Sequence, residues 1–196
     1  MHPTRCMAIF AIRYLKGLVE FLSSRYGSAV QSILALAGDG LRPMPLAPAG
    51  PSSKLEFGDL GSLFQDSNSP QGALSGLYLY FSYVDEAHKI AQDLDTPDGS
   101  FWHGIVHRQE PDPGNAGYWF RHTGQHPVFP ALASEARELG YKVGSKWDPL
   151  AFIDFCESAR RKPGSADETL AMQVQLAEWQ LLFDHCARPG KTHTQS

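Results

Sequence analysis

The chain has 196 residues and a mass of 21.6 kDa, with 42% hydrophobic and 19% charged residues, a composition typical of one ordinary globular domain and unlike that of disordered chains. A formal net charge of -4, a sequence pI near 6.0 and the lack of any long Lys/Arg run argue against nucleic acid as a partner. Three widely separated cysteines, Cys6, Cys156 and Cys186, suggest neither a disulfide framework nor a thiolate metal site, so a reducing cytoplasm is the expected location.

Residues 1–37 read as a helical appendage. Ile9, Ile12, Leu15, Val19 and Leu22 recur at helical spacing, Gly27 is a break, and the interspersed charges leave no apolar run long enough for a secretory core or a membrane span. Residues 38–53, GDGLRPMPLAPAGPSS, are expected to form a linker, because proline removes backbone donors and glycine resists helix. The main domain is expected over 54–188, with 189–196 as a disordered tail.

Within that domain Ser69-Pro70, Thr96-Pro97, Asp112-Pro113 and Asp148-Pro149 each pair a capping side chain with a proline suited to the first helical position. Ser165 and Glu168 form a capping box before a long helix that carries two apolar stripes, Leu170-Val174-Ala177-Leu181 and Met172-Leu176-Trp179-Phe183, which predicts that this last helix is largely buried. The only β-prone run, LYLYF, lies inside a helical pattern. The expected fold is therefore all-α.

Residues 74–97 align with 103–127 at a period of about 29 to 30, each unit reading as a helical hairpin loosely similar to a degenerate tetratricopeptide repeat. The units are expected to pack into one compact domain. The overlay puts His103 and His107 where Leu74 and Tyr78 sit, at positions facing the hairpin interior, where buried imidazoles need partners.

The run from Phe101 to Phe129 holds four of the eight histidines. His103, His107 and Glu110 stand at i, i+4 and i+7, on one face of a helix, and could hold zinc or iron completed by Asp112, His122 or a residue such as His88. The metalloprotease pattern is rejected, because Gly104 stands where the general base would follow the first histidine. Arg108, Asp112, Asn115, Tyr118 and Arg121 are the ligand-binding candidates: the arginines suit a carboxylate or phosphate, the helix start offers free amides, and the aromatics suit a flat ligand. The bland alternative has Arg108 paired with Glu110 or Asp112 at the surface and Trp119 in the core. No nucleophile motif is present.

The run from Gly76 to Leu132, with Trp147–Arg160 and Ala177–Ala187, resembles a group of bacterial hypothetical proteins with fungal relatives. They carry an H-R-x-E-x-D-x-x-N-A-x-Y-W-F-like signature, here His107-Arg108, Glu110, Asp112, Asn115-Ala116 and Tyr118-Trp119-Phe120 followed by Arg121. The resemblance covers about residues 30 to 188 and brings no activity with it. Two functions are thus expected to compete: a helical scaffold whose polar pocket binds a small polar or anionic ligand or a protein segment, and a metal-dependent or acid-base enzyme working from the His103/His107/Glu110 face.

Overall fold

A computed structural model describes residues 21–51 and 60–190. Eight α-helices follow one another: α1 (Ser28–Ala35), α2 (Pro70–Tyr80), α3 (Val84–Gln92), α4 (Pro97–Gln109), α5 (Pro113–Thr123), α6 (Phe129–Glu138), α7 (Pro149–Arg160) and α8 (Ala166–Ala187). Short 3₁₀ turns occupy Ser23–Tyr26 and Leu60–Phe64, and no β-strand occurs among the described residues. The expected all-α class holds. The candidate apolar positions 9, 12, 15 and 19, the start of the domain at 54 and the tail beyond 190 lie outside the described residues.

Local chemistry sets the helix starts. Four of the prolines sit in the first turn of a helix, directly after Ser69, Thr96, Asp112 and Asp148, where the missing N–H costs nothing. Thr96 Oγ1 accepts from Gly99 N, Asp112 Oδ1 from Asn115 N, and Asp148 Oδ1 from Leu150 N and Ala151 N, whereas the Ser69 side chain, expected to cap α2, makes no such bond. At α8, Ser165 Oγ accepts from Glu168 N, but Glu168 Oε2 reaches past the cap to Gly164 N at 2.6 Å. The LYLYF run completes α2.

α8 is the spine of the core. Every residue from Val174 to Asp184 is buried, as its two apolar stripes require. Trp179 stacks on Tyr80 with ring centroids 4.4 Å apart, and its Nε1 donates to the Gly76 carbonyl at 2.7 Å. Polar positions on the same helix hold the Pro/Gly-rich stretch before the domain: Gln175 Nε2 donates to the Pro45 carbonyl at 2.8 Å and Gln180 Nε2 to the Gly40 carbonyl at 2.8 Å, while Arg160 Nη2 reaches the Leu46 carbonyl at 2.6 Å. Met44 and Leu46 are buried there.

The two sequence units correspond to α2 with α3 and α4 with α5. Each pair packs together, and α3 also packs on α4. That contact brings His88 of α3 against the histidine face of α4.

Candidate metal centre

α4 presents His103 and His107 one turn apart on the face toward α3 and α5, both buried. Their rings lie parallel, with centroids 4.8 Å apart and an interplanar angle of 16°. Trp119 of α5 closes the other side of His103, stacked at 4.0 Å. From α3, His88 meets both rings edge-on, at 4.6 Å from His103 and 4.8 Å from His107. One ligand atom from each of the three imidazoles lies within 4.8 Å of the other two. A tetrahedral centre with metal–nitrogen bonds of about 2.0 to 2.1 Å needs such atoms roughly 3.4 Å apart, so the rings would have to draw closer to ligate one ion.

Glu110, the residue that ends α4, is placed by the helix terminus beside two of these rings. Its Oε1 lies 3.2 Å from His88 Nδ1 in a hydrogen bond, and its Oε2 lies 3.0 Å from His107 Nδ1. The second contact is an ion-pair approach without hydrogen-bond alignment, since His107 Nδ1 has no hydrogen-bond partner among the described residues. A carboxylate only accepts, so the His88 nitrogen facing it donates, and Nε2 is the ring atom left to face a ligand. Glu110 thus orients the His88 imidazole, as carboxylates behind metal-bound histidines do.

His103 is the unusual member. Both of its ring nitrogens are shut away from solvent with no hydrogen-bond partner among the described residues. Burial first, then the neighbouring His88 and His107, push its pKa down to about 4. Burial also lowers His107, while Glu110 pulls the other way. At neutral pH both rings are uncharged and carry free lone pairs.

The other candidates go elsewhere. Arg108 is fully enclosed and bonds Gln175 Oε1 and the Glu178 carboxylate on α8, not Glu110 or Asp112. Asp112 caps α5 and accepts from Asn115 Nδ2 at 2.7 Å, and these hydrogen bonds hold its carboxyl below the usual range. His122 is exposed, with Nδ1 turned to the Tyr118 carbonyl at 2.9 Å. Tyr118 is exposed and packs edge-on against Trp119 at 5.2 Å. Arg121 is exposed and lines a cleft toward α7.

A second cluster, not anticipated from the sequence, joins Asp98 of α4, His126 and His185 of α8. Asp98 Oδ1 lies 2.9 Å from His126 Nε2 and 3.3 Å from His185 Nε2, and His126 Nδ1 accepts from Val128 N at 3.2 Å. This cluster satisfies itself, so a metal would have to displace existing bonds, whereas at His103 it would meet vacant nitrogens. Nothing local in the sequence signals such a long-range grouping. Gln175 and Glu178 did leave a trace: polar residues on a helix with two apolar stripes must be buried and paired.

No family model, curated protein or solved structure matches the chain.

Proposed function

We propose that the protein binds a divalent transition-metal ion through His88, His103 and His107, with Glu110 orienting His88 and lying beside His107, and that this centre serves metal-assisted chemistry on a small polar substrate. One observation carries the reading: a buried histidine with both nitrogens unpartnered stands at the meeting point of three imidazoles. Unpaired polar groups of this kind are rarely tolerated in a core without a partner, and uncharged imidazole is the ligand that zinc and iron favour.

Three protein ligands leave a fourth position open, the pattern of catalytic rather than structural zinc sites. The side chains of His88 and Glu110 are 26% and 27% exposed, so the open side faces solvent between α3 and the end of α4. An ion held there would acidify water or polarise a carbonyl or phosphoryl group. The net charge of -4 fits a small-molecule substrate better than nucleic acid. No helix among the described residues is long and apolar enough to cross a membrane. Membership of the group carrying the His107-Arg108-x-Glu110 signature is part of the same proposal.

Elemental analysis of protein purified without a metal-affinity column, together with thermal melting in added zinc, tests the reading. The expected result is about one ion per chain and a zinc-dependent rise in Tm, both lost in His88→Ala. In Glu110→Gln the ion should bind roughly 10- to 100-fold more weakly. A wild-type protein that holds no metal and whose Tm does not respond to zinc, iron or manganese overturns it.

A further inference from the structure

We infer that the cleft between α6 and the segment 144–151 is a second binding site, which takes a small ligand bearing a carboxylate or phosphate on a flat apolar body. It lies apart from the three histidines and does not depend on them. Two lobes of about 540 and 640 Å³ share the walls formed by Phe129, Lys146 and Trp147, and each falls within the range of small-molecule pockets.

The walls and rim select the ligand. Phe120, Phe129 and Trp147, largely buried aromatics, line the cleft and give it an apolar wall suited to a planar group. Trp147 is only 3% exposed, and its indole Nε1 is buried with no hydrogen-bond partner among the described residues. An indole nitrogen only donates, so this N–H, which belongs to a wall residue of both lobes, would gain an acceptor from an anionic ligand that parts the side chains covering it.

Cationic groups stand around the opening. Arg121 is exposed and lies back over α5: a Cβ on Gly117 would come within 3.3 Å of its Nη1 and 3.5 Å of Leu150 Cδ2. Gly117 thus lies beneath both the Arg121 guanidinium and the Leu150 side chain at the start of α7. Lys146 is exposed on the shared wall, and neither it nor Arg121 makes an ion pair among the described residues. The one carboxylate in the lining, Asp148, has Oδ1 committed to the α7 amides. Arg137, by contrast, is engaged, its Nη2 donating to the Gly144 carbonyl at 2.9 Å, and it braces the loop that forms the outer wall. Unpaired guanidinium and ammonium groups beside aromatic walls select an anion with a planar body.

The test follows the Trp147 indole N–H resonance in a nitrogen-15 spectrum, assigned by its disappearance in Trp147→Phe. Phenyl phosphate, phenylacetate and inorganic phosphate are titrated separately into the full chain. The site predicts saturable movement of that resonance with at least one of the two aryl anions, at least about tenfold weaker binding of inorganic phosphate, and about tenfold weaker aryl binding in Arg121→Gln or Lys146→Gln. Preference between the aryl phosphate and the aryl carboxylate then names the headgroup. No movement with either aryl anion up to about 10 mM, equal response to all three anions, or aryl binding unchanged in both variants overturns the assignment. Both variants replace exposed side chains, so folding is not at issue.

Discussion

Arg108 and Glu178 have side chains that are completely excluded from solvent, joined by a forked contact with Gln175 completing the set. Burial works against both charges. It would lower the Arg108 pKa, but the Glu178 carboxylate outweighs it and raises that pKa, while burial lifts Glu178 and Arg108 pulls it back. The guanidinium also lies over Phe152, 4.7 Å from the ring centroid. Removing one partner from such a pair strands a charge, so Arg108→Met is expected to lose about 3 to 5 kcal/mol in urea denaturation, and Arg108→Met/Glu178→Leu to recover more than half of that. Neither recovery nor loss would mean that the pair is not charged. At this scale the signature run is legible only in part. It mixes His107 and Glu110, which face the candidate centre, with Arg108, which ties α4 to α8, Asp112, which caps α5, and Asn115, which donates to that cap. Sequence spacing puts His107 and Glu110 on one face but gives no hint that Arg108, between them, points into the core.

Helix starts were the most legible elements, because a capping side chain followed by proline acts through neighbours in the chain and needs no tertiary partner. Contacts between helices depend on close approach, which single glycines reveal only once the partner is known. Gly104 illustrates this. In the sequence it counted against a protease motif, and in the fold a Cβ at that position would stand 2.9 Å from the Phe120 ring, so the missing side chain sets how closely α4 and α5 approach. That spacing also keeps Trp119 against His103. Gly104→Ala should therefore cost about 1 to 3 kcal/mol of stability, despite alanine's better helix propensity, and should weaken zinc-induced stabilisation in the same melting experiment. A neutral or stabilising outcome would show that the helices part without strain. The strap at residues 40–46 was not legible as a packed segment. Its prolines and glycines mark the absence of helix, but its anchors are Gln175, Gln180 and Arg160, more than a hundred residues further on.

Across the whole molecule the Asp98/His126/His185 cluster fastens the start of α4 to the end of α8, and it ties fold stability to pH. Burial would raise the Asp98 pKa, but hydrogen bonds from His126 and His185 outweigh it and hold the carboxyl well below 3.8. The Asp98 contribution is thus present above pH 3.8 and lost as pH falls through the lower folded value. His185 is raised above 6.5, chiefly by its hydrogen bond to Asp98, so its contribution is full below 6.5 and lost as pH rises past the folded value. The difference in urea stability between wild type and Asp98→Asn should therefore peak between about pH 4 and 6.5, at about 2 kcal/mol, and shrink by pH 9. A difference that does not vary with pH would rule out a charged clamp. This grouping and the His88 contribution to the metal centre were the least legible features, since each joins separate helices through packing rather than periodicity. The spine has a further consequence. α8 follows the other described helices in the order of synthesis, yet it carries the partners of Arg108, Tyr80 and the strap, so a nascent chain emerges with these earlier helices made and their central companion still inside the ribosome. Until α8 is released, Trp102, Phe81 and the histidine face have no complete core to enter, and the growing chain depends on whatever shields apolar surface at the exit tunnel.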